Sequence, residues 1–146
     1  MDKERVNQAL EIFRSSLPTP PVWVMLIRTR DGRALGRAGE FRDIYPTHPQ
    51  LEDDFVASLT HAHAEHEYET LQKLEHGNFQ FSVNVGGNGL HIVINLVDAY
   101  VLAISYLRVG IQGSLDSLLD RILNYGVPEL LDNLWWLRAK EDELEE

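Results

Sequence analysis

The chain has 146 residues, a length that suits one domain, and it is 44% hydrophobic, enough for one sizeable core. Its formal net charge is −10 and its pI is near 5.0. The basic residues are thinly spread, densest at Arg28, Arg30, Arg33 and Arg37, which argues against a phosphate-binding surface and so against nucleic acid. Cysteine is absent, excluding disulfides, a thiol nucleophile and a Cys-type zinc site. No stretch nears the ~20 apolar residues that span a bilayer, so no membrane insertion is expected. Met1-Asp2-Lys3-Glu4-Arg5 carries both signs of charge and leads into a helical pattern, unlike a secretory leader. The expected location is cytoplasmic.

From residue 3 to about 16, Val6, Ala9, Leu10, Ile12 and Phe13 make one apolar helical stripe. Pro18, Pro20 and Pro21 end that helix. Val22 to Ile27 is dense in strand formers, and Asp31-Gly32 is a hairpin turn signal. Residues 33 to 38 form the returning strand, short and holding Gly36, as edge strands often are. A loop with Pro46 and Pro49 leads to a long helix from about Leu51 to Leu74.

That helix carries two apolar arcs. Leu51, Phe55, Leu59, Ala62 and His66 share one; Ala57, Ala64, Tyr68 and Leu71 share another, roughly opposite. One arc is expected to pack on a sheet and the other on something else. Ala57 and Ala64, small and seven apart, suit the close approach of a second helix.

Three amphipathic strands follow. Phe79, Phe81, Val83 and Val85 alternate with polar residues, the pattern of one dry and one wetter face. Gly86-Gly87-Asn88-Gly89 allows a tight reversal; because a strand rather than a helix follows, it is a hairpin and not a phosphate loop. Leu90, Ile92, Ile94 and Leu96 resume the alternation. A turn at Val97-Asp98-Ala99 leads to Tyr100–Leu107, apolar on both faces and so expected mid-sheet. Ser114 then caps a helix carrying Leu115, Leu118, Leu119, Ile122 and Leu123. Gly126-Val127-Pro128 interrupts it, and Pro128 suits the first turn of a new helical segment through Leu137. Residues 141–146 are acidic and expected to fray. The order α-β-β-α-β-β-β-α is satisfied by an α+β fold, a five-stranded antiparallel sheet flanked by helices.

This order resembles the Roadblock/dynein light chain family. The likeness is carried by Val22 to Gly32, the long helix after a variable loop, Gly77-Asn78-Phe79, the run from Gly86 to Leu107, and the closing helix from Leu115. It spans about residues 3 to 125 and shares features with profilin-like domains. On it, residues 1–127 form a Roadblock-like domain and 128–146 a C-terminal helical extension with an acidic end. The resemblance implies a homodimer joined through the third strand and the long helix as one continuous sheet, with Ala57, Ala64, Tyr68, Leu71, Phe79, Phe81 and Val83 at the interface. It also implies a scaffold or regulator of a small Ras-like GTPase, as for bacterial members that regulate a polarity GTPase. Two further readings stay open: a small-molecule-sensing domain of profilin or sensory type, and a secretion-type chaperone.

The residues themselves announce no reaction. No Gly-x-Ser-x-Gly elbow occurs, and Asp53 and Asp54 suit a helix N-terminus better than catalysis. His61, His63 and His66 alternate with Glu65, Glu67 and Glu69, but His61 and His63 point about 160° apart on a helix, so no metal is expected. A pH-sensitive dimer contact suits these histidines better. No enzyme activity and no cofactor are expected. Trp135 and Trp136 diverge by about 100°, so one can bury while the other meets a partner.

Overall fold

A computed structural model describes residues 2–41, 52–107, 111 and 113–145, with backbone only for 141–145. Helix α1 is Lys3–Ser16, β1 Trp23–Arg28 and β2 Ala34–Gly39. Helix α2 is Asp53–Lys73, followed by β3 Phe81–Val85, β4 Gly89–Leu96 and β5 Tyr100–Leu107. Helix α3 is Leu115–Arg121, a π-helical turn spans Ile122–Gly126, α4 is Val127–Asn133 and α5 is Trp135–Glu145. The loop expected around Pro46 and Pro49, and the first helix residue expected at Leu51, lie outside the described residues.

The strands form one antiparallel sheet in the order β2-β1-β5-β4-β3. β5, apolar on both faces, lies in the middle as its sequence requires. Period-two alternation sorts the side chains into two cores. On one face Val24, Leu26, Leu90, Ile92, Ile94, Leu102 and Ile104 meet α1, α3 and α4 through Leu10, Phe13, Leu118, Ile122 and Leu130. On the other, Trp23, Met25, Ile27, Val101 and Ala103 meet α2 through Val56, Ala57 and Ala64.

Two local expectations are corrected. β3 begins at Phe81, and Phe79, expected to alternate with it, lies outside the strand. Its side chain is buried in the core under α2, whereas Phe81, Val83 and Val85 pair with Ile94, Ile92 and Leu90 on the opposite face. The backbone around Phe79 and Gln80 is held instead by Asn95, whose N–H donates to Gln80 O (2.8 Å) and whose Nδ2 donates to Phe79 O (3.0 Å).

The second correction concerns Gly126-Val127-Pro128, which does not interrupt the winding. The chain passes from α3 through the π turn into α4. A proline clashes with the carbonyl four residues back, here Asn124, and the wider turn relieves it. The segment from Pro128 is helical, and its Leu130, Leu134, Trp136 and Leu137 complete the core beside α1. Arg5 stacks over the Trp136 ring, and Lys140 bonds Asp2, tying both ends of the described chain together.

Candidate interaction surface

The sheet has two edges, and they differ. On β2 the outward N–H of Arg37 donates to Oδ1 of Asn7, a side chain from α1, at 2.8 Å. The β1–β2 pairing is also irregular between Leu26 and Ile27. Both devices blunt an edge against further strands. β3 has neither. It carries no Lys, Pro or acid. Asn95 N→Gln80 O and Gly86 N→Gly89 O (each 2.8 Å) mark the even-numbered residues as those bonded to β4. The backbone N–H and C=O groups of Phe81, Val83 and Val85 therefore point outward, and among the described residues nothing pairs with them.

Helix α2 supplies the adjoining surface, with its two arcs exchanged relative to the sequence expectation. Ala57 and Ala64 are buried against the chain's own sheet, and half-buried Leu71 packs there too. Phe79 is likewise inside. These four residues of the expected dimer interface are covered within one chain. The physical reason is space. Trp23, Met25 and Ile27 fill the sheet surface, so the helix lies flat only where its own side chains are small. The bulky residues of the other arc face outward: Phe55 is 56% and Leu59 59% exposed, in line with Ala62 and His66. Tyr68 is exposed at the flank of the inward face, Phe81 is 42% exposed, and Val83 is half-buried against the core of the α1 side.

Between α2 and the β3–β4 hairpin runs a groove of about 780 Å³. Its walls include Val22, Trp23, Val56, Leu59 and Leu107, and its floor is polar. His91 Nδ1 lies 2.7 Å from Ser105 Oγ, and its Nε2 lies 3.4 Å from Thr60 Oγ1. Thr60 and Ser105 are the buried polar residues of the chain's described part. Burial, with a smaller repulsion from His63, holds the His91 imidazole down to about 4, so it is neutral near pH 7. A neutral imidazole can donate through one nitrogen and accept through the other, which satisfies both hydroxyls. The chain of bonds pins α2 to β4 and β5.

The other histidines diverge. His61 Nε2 reaches Thr29 O of the β1–β2 turn (2.8 Å), His63 Nε2 faces Ser82 Oγ (3.4 Å) and Glu67 (3.9 Å), and His66 lies on the outer stripe. Among the described residues no three His, Cys, Asp or Glu side chains converge. The adjacent tryptophans also separate: Trp136 is buried, its Nε1 donating to Asn133 O, while Trp135 is 69% exposed. No helix among the described residues is long and apolar enough to cross a membrane.

A five-stranded antiparallel sheet in this order, with one long helix on one face and the remaining helices on the other, is the Roadblock fold. Among solved structures the chain is similar to Myxococcus xanthus MglB, with a TM-score of 0.70 and 14% identity over 90% of this chain and 88% of that one. It is also similar to the gliding protein MglB of Thermus thermophilus (TM-score 0.64, 18% identity, 89% and 90% covered). A third likeness is to a Roadblock/LC7 domain from Streptomyces avermitilis (TM-score 0.67, 14% identity, 91% and 97% covered). No protein-family model and no curated protein matches the sequence.

Proposed function

We propose that this protein is a non-enzymatic homodimer that scaffolds or regulates a small Ras-like GTPase or a related complex in the cytoplasm. The observation that carries the reading is the bare edge of β3 beside the apolar outer stripe of α2, on a Roadblock fold shared with MglB. An unpaired strand without charge or proline invites another chain, and a structure described as "MglB with tetrameric arrangement" records self-assembly in that protein. The proposed dimer contacts are Phe55, Leu59 and Tyr68 of α2, with Phe81, Val83 and Val85 of β3. Trp135 is the proposed anchor for a further partner, since exposed large aromatics are favoured at interface hot spots.

Affinity capture on this protein from native-cell lysate, supplemented in parallel with a non-hydrolysable GTP analogue or with GDP, tests the GTPase part. Recovery of a small GTPase in a nucleotide-dependent manner supports it; reproducible recovery of other proteins only overturns it. A second reading, small-molecule sensing, is favoured by the groove, whose volume falls in the usual ligand range and whose floor is polar. That floor is already paired with itself through His91, Ser105 and Thr60, which favours the first reading.

A further inference from the structure

We infer that two copies of this chain join with their two-fold axis through Val83, pairing β3 with its symmetry mate in one register. The inference rests on the homodimer reading above and specifies how its strands meet. β3 reads Phe81-Ser82-Val83-Asn84-Val85, nearly symmetric about its centre: apolar, small polar, apolar, small polar, apolar. In an antiparallel pair of identical strands, a residue on the axis faces itself and the others face their mirror positions.

The outward backbone groups decide among the axes. They belong to Phe81, Val83 and Val85, because the even-numbered residues are spent on β4. An axis at Val83 makes Val83 a hydrogen-bonded pair with its mate and sets Phe81 opposite Val85 of the second copy. Every outward N–H and C=O of the strand is then used. An axis at Ser82 or Asn84 sets outward residues opposite one another only in part, and carries one end of the strand past its partner's end. At that overhang the backbone would lose its hydrogen bonds.

The side chains agree with the backbone. On the α1 side of the sheet, the axis at Val83 packs Phe81, 42% exposed in one chain, against Val85, 64% exposed, of the other. An aromatic residue opposite a β-branched one is a favourable cross-strand pair. On the α2 side, Ser82 meets Asn84 of the mate in a non-hydrogen-bonded pair, where side chains stand closest. Asn84 Nδ2 already lies 3.3 Å from Ser82 Oγ within its own chain, so both are oriented for such a contact. A shift of one residue would set apolar against polar across the seam, and a two-residue shift would leave Phe81 or Val85 uncovered.

The chain has no cysteine, so single cysteines can be placed without background. V83C, S82C and N84C, and an equimolar mixture of F81C with V85C, are oxidised as full-length protein after sedimentation confirms the state of each variant. Paired Val83 Cα atoms stand at about 5.5 Å, within disulfide reach. V83C is expected to cross-link about tenfold faster than S82C or N84C, because the local concentration of partner thiol falls with separation. The F81C and V85C mixture is expected to give the mixed dimer in preference to either homodimer. A dimer that cross-links fastest through S82C or N84C, or through no position of β3, overturns the register and leaves the dimer standing. A wild-type monomer at tens of micromolar (roughly the weak-affinity regime) overturns both.

Discussion

Asn7 Oδ1 accepts the backbone N–H of Arg37 at 2.8 Å, so a helix side chain occupies a ladder position on the outer edge of β2. Asn7→Ala is expected to strand that half-buried N–H and cost about 1–2 kcal/mol of stability, read by urea titration. It is also expected to raise concentration-dependent association, because the edge it sealed becomes available. Unchanged association by light scattering would show that Asn7 serves α1 packing alone.

Leu59 and Ala64 separate association from folding. Ala64 is buried against the sheet, so Ala64→Arg places an unpaired charge in the core and is expected to cost several kcal/mol, unfolding the chain rather than dissociating it. Leu59 is outward, so Leu59→Arg is expected to keep the melting temperature of the monomer and to weaken the dimer in sedimentation. A Leu59→Arg protein that still dimerises with wild-type affinity would remove the α2 stripe from the interface.

His91 makes a pH prediction with a definite sign. Its folded pKa is about 4, below the ordinary 6.5, so as pH falls the unfolded chain takes up the proton first. The groups around it are Thr60 and His63 of α2, Ser105 of β5 and the Trp23 ring of β1, none of which is a carboxylate. Its contribution is complete above pH 6.5 and is lost as pH drops to 4, a fall of about 3 kcal/mol. Asp31 acts in a separate window: the hydrogen bond from Arg28 holds its carboxyl to about 2, so its contribution is present above 3.8 and disappears toward 2. In His91→Asn the slope between pH 6.5 and 4 is expected to flatten while the Asp31 slope persists. A wild-type slope retained in the variant would assign the acid loss to other groups.

Val97 is a residue the fold tolerates rather than uses. Val97 and Asp98 sit at φ 47° and 59°, and Ala99 N bonds Leu96 O at 3.1 Å, closing a tight turn between β4 and β5. A β-branched residue is strained there, whereas asparagine adopts such angles readily. The Val97 side chain is exposed, so Val97→Asn forfeits little packing. A gain of about 1 kcal/mol is expected, or a few degrees in melting temperature. A loss would mean that this side chain is covered in the assembled protein.

The sheet was legible because alternation and turn residues are local signals. Val83, Ile92 and Ile104 report their face through their immediate neighbours. The two arcs of α2 were legible too, but not which arc faces inward. That choice depends on Trp23 and Met25, which reach the helix from a distant strand, and a wheel of α2 alone contains no trace of them. Phe79 was assigned to the wrong face for a similar reason: its alternation with Phe81 is broken by bonds from Asn95, a residue of another strand. The guard at β2 was hidden, since Asn7 in an apolar helix stripe reads as an ordinary polar position. The edges themselves are a property of strand order, which no single segment encodes.

The π turn has a consequence for how this fold can change length. Leu118, Ile122, Gly126, Leu130 and Leu134 are all buried, each four residues after the last. Pure α winding would carry such a series about 40° further round the axis at every step, turning its last members out of the core. The wider turn takes back the excess, and it does so where Gly126 has no side chain to strike Phe13, 2.8 Å from where a Cβ would stand. The Ile122–Gly126 segment thus behaves as a tolerated one-residue insertion. A homologue missing one residue there, and lacking the proline, would wind as plain α-helix and still deliver Leu130, Leu134 and Leu137 to the same wall, so the tail can vary in length at this point without losing its grip on α1.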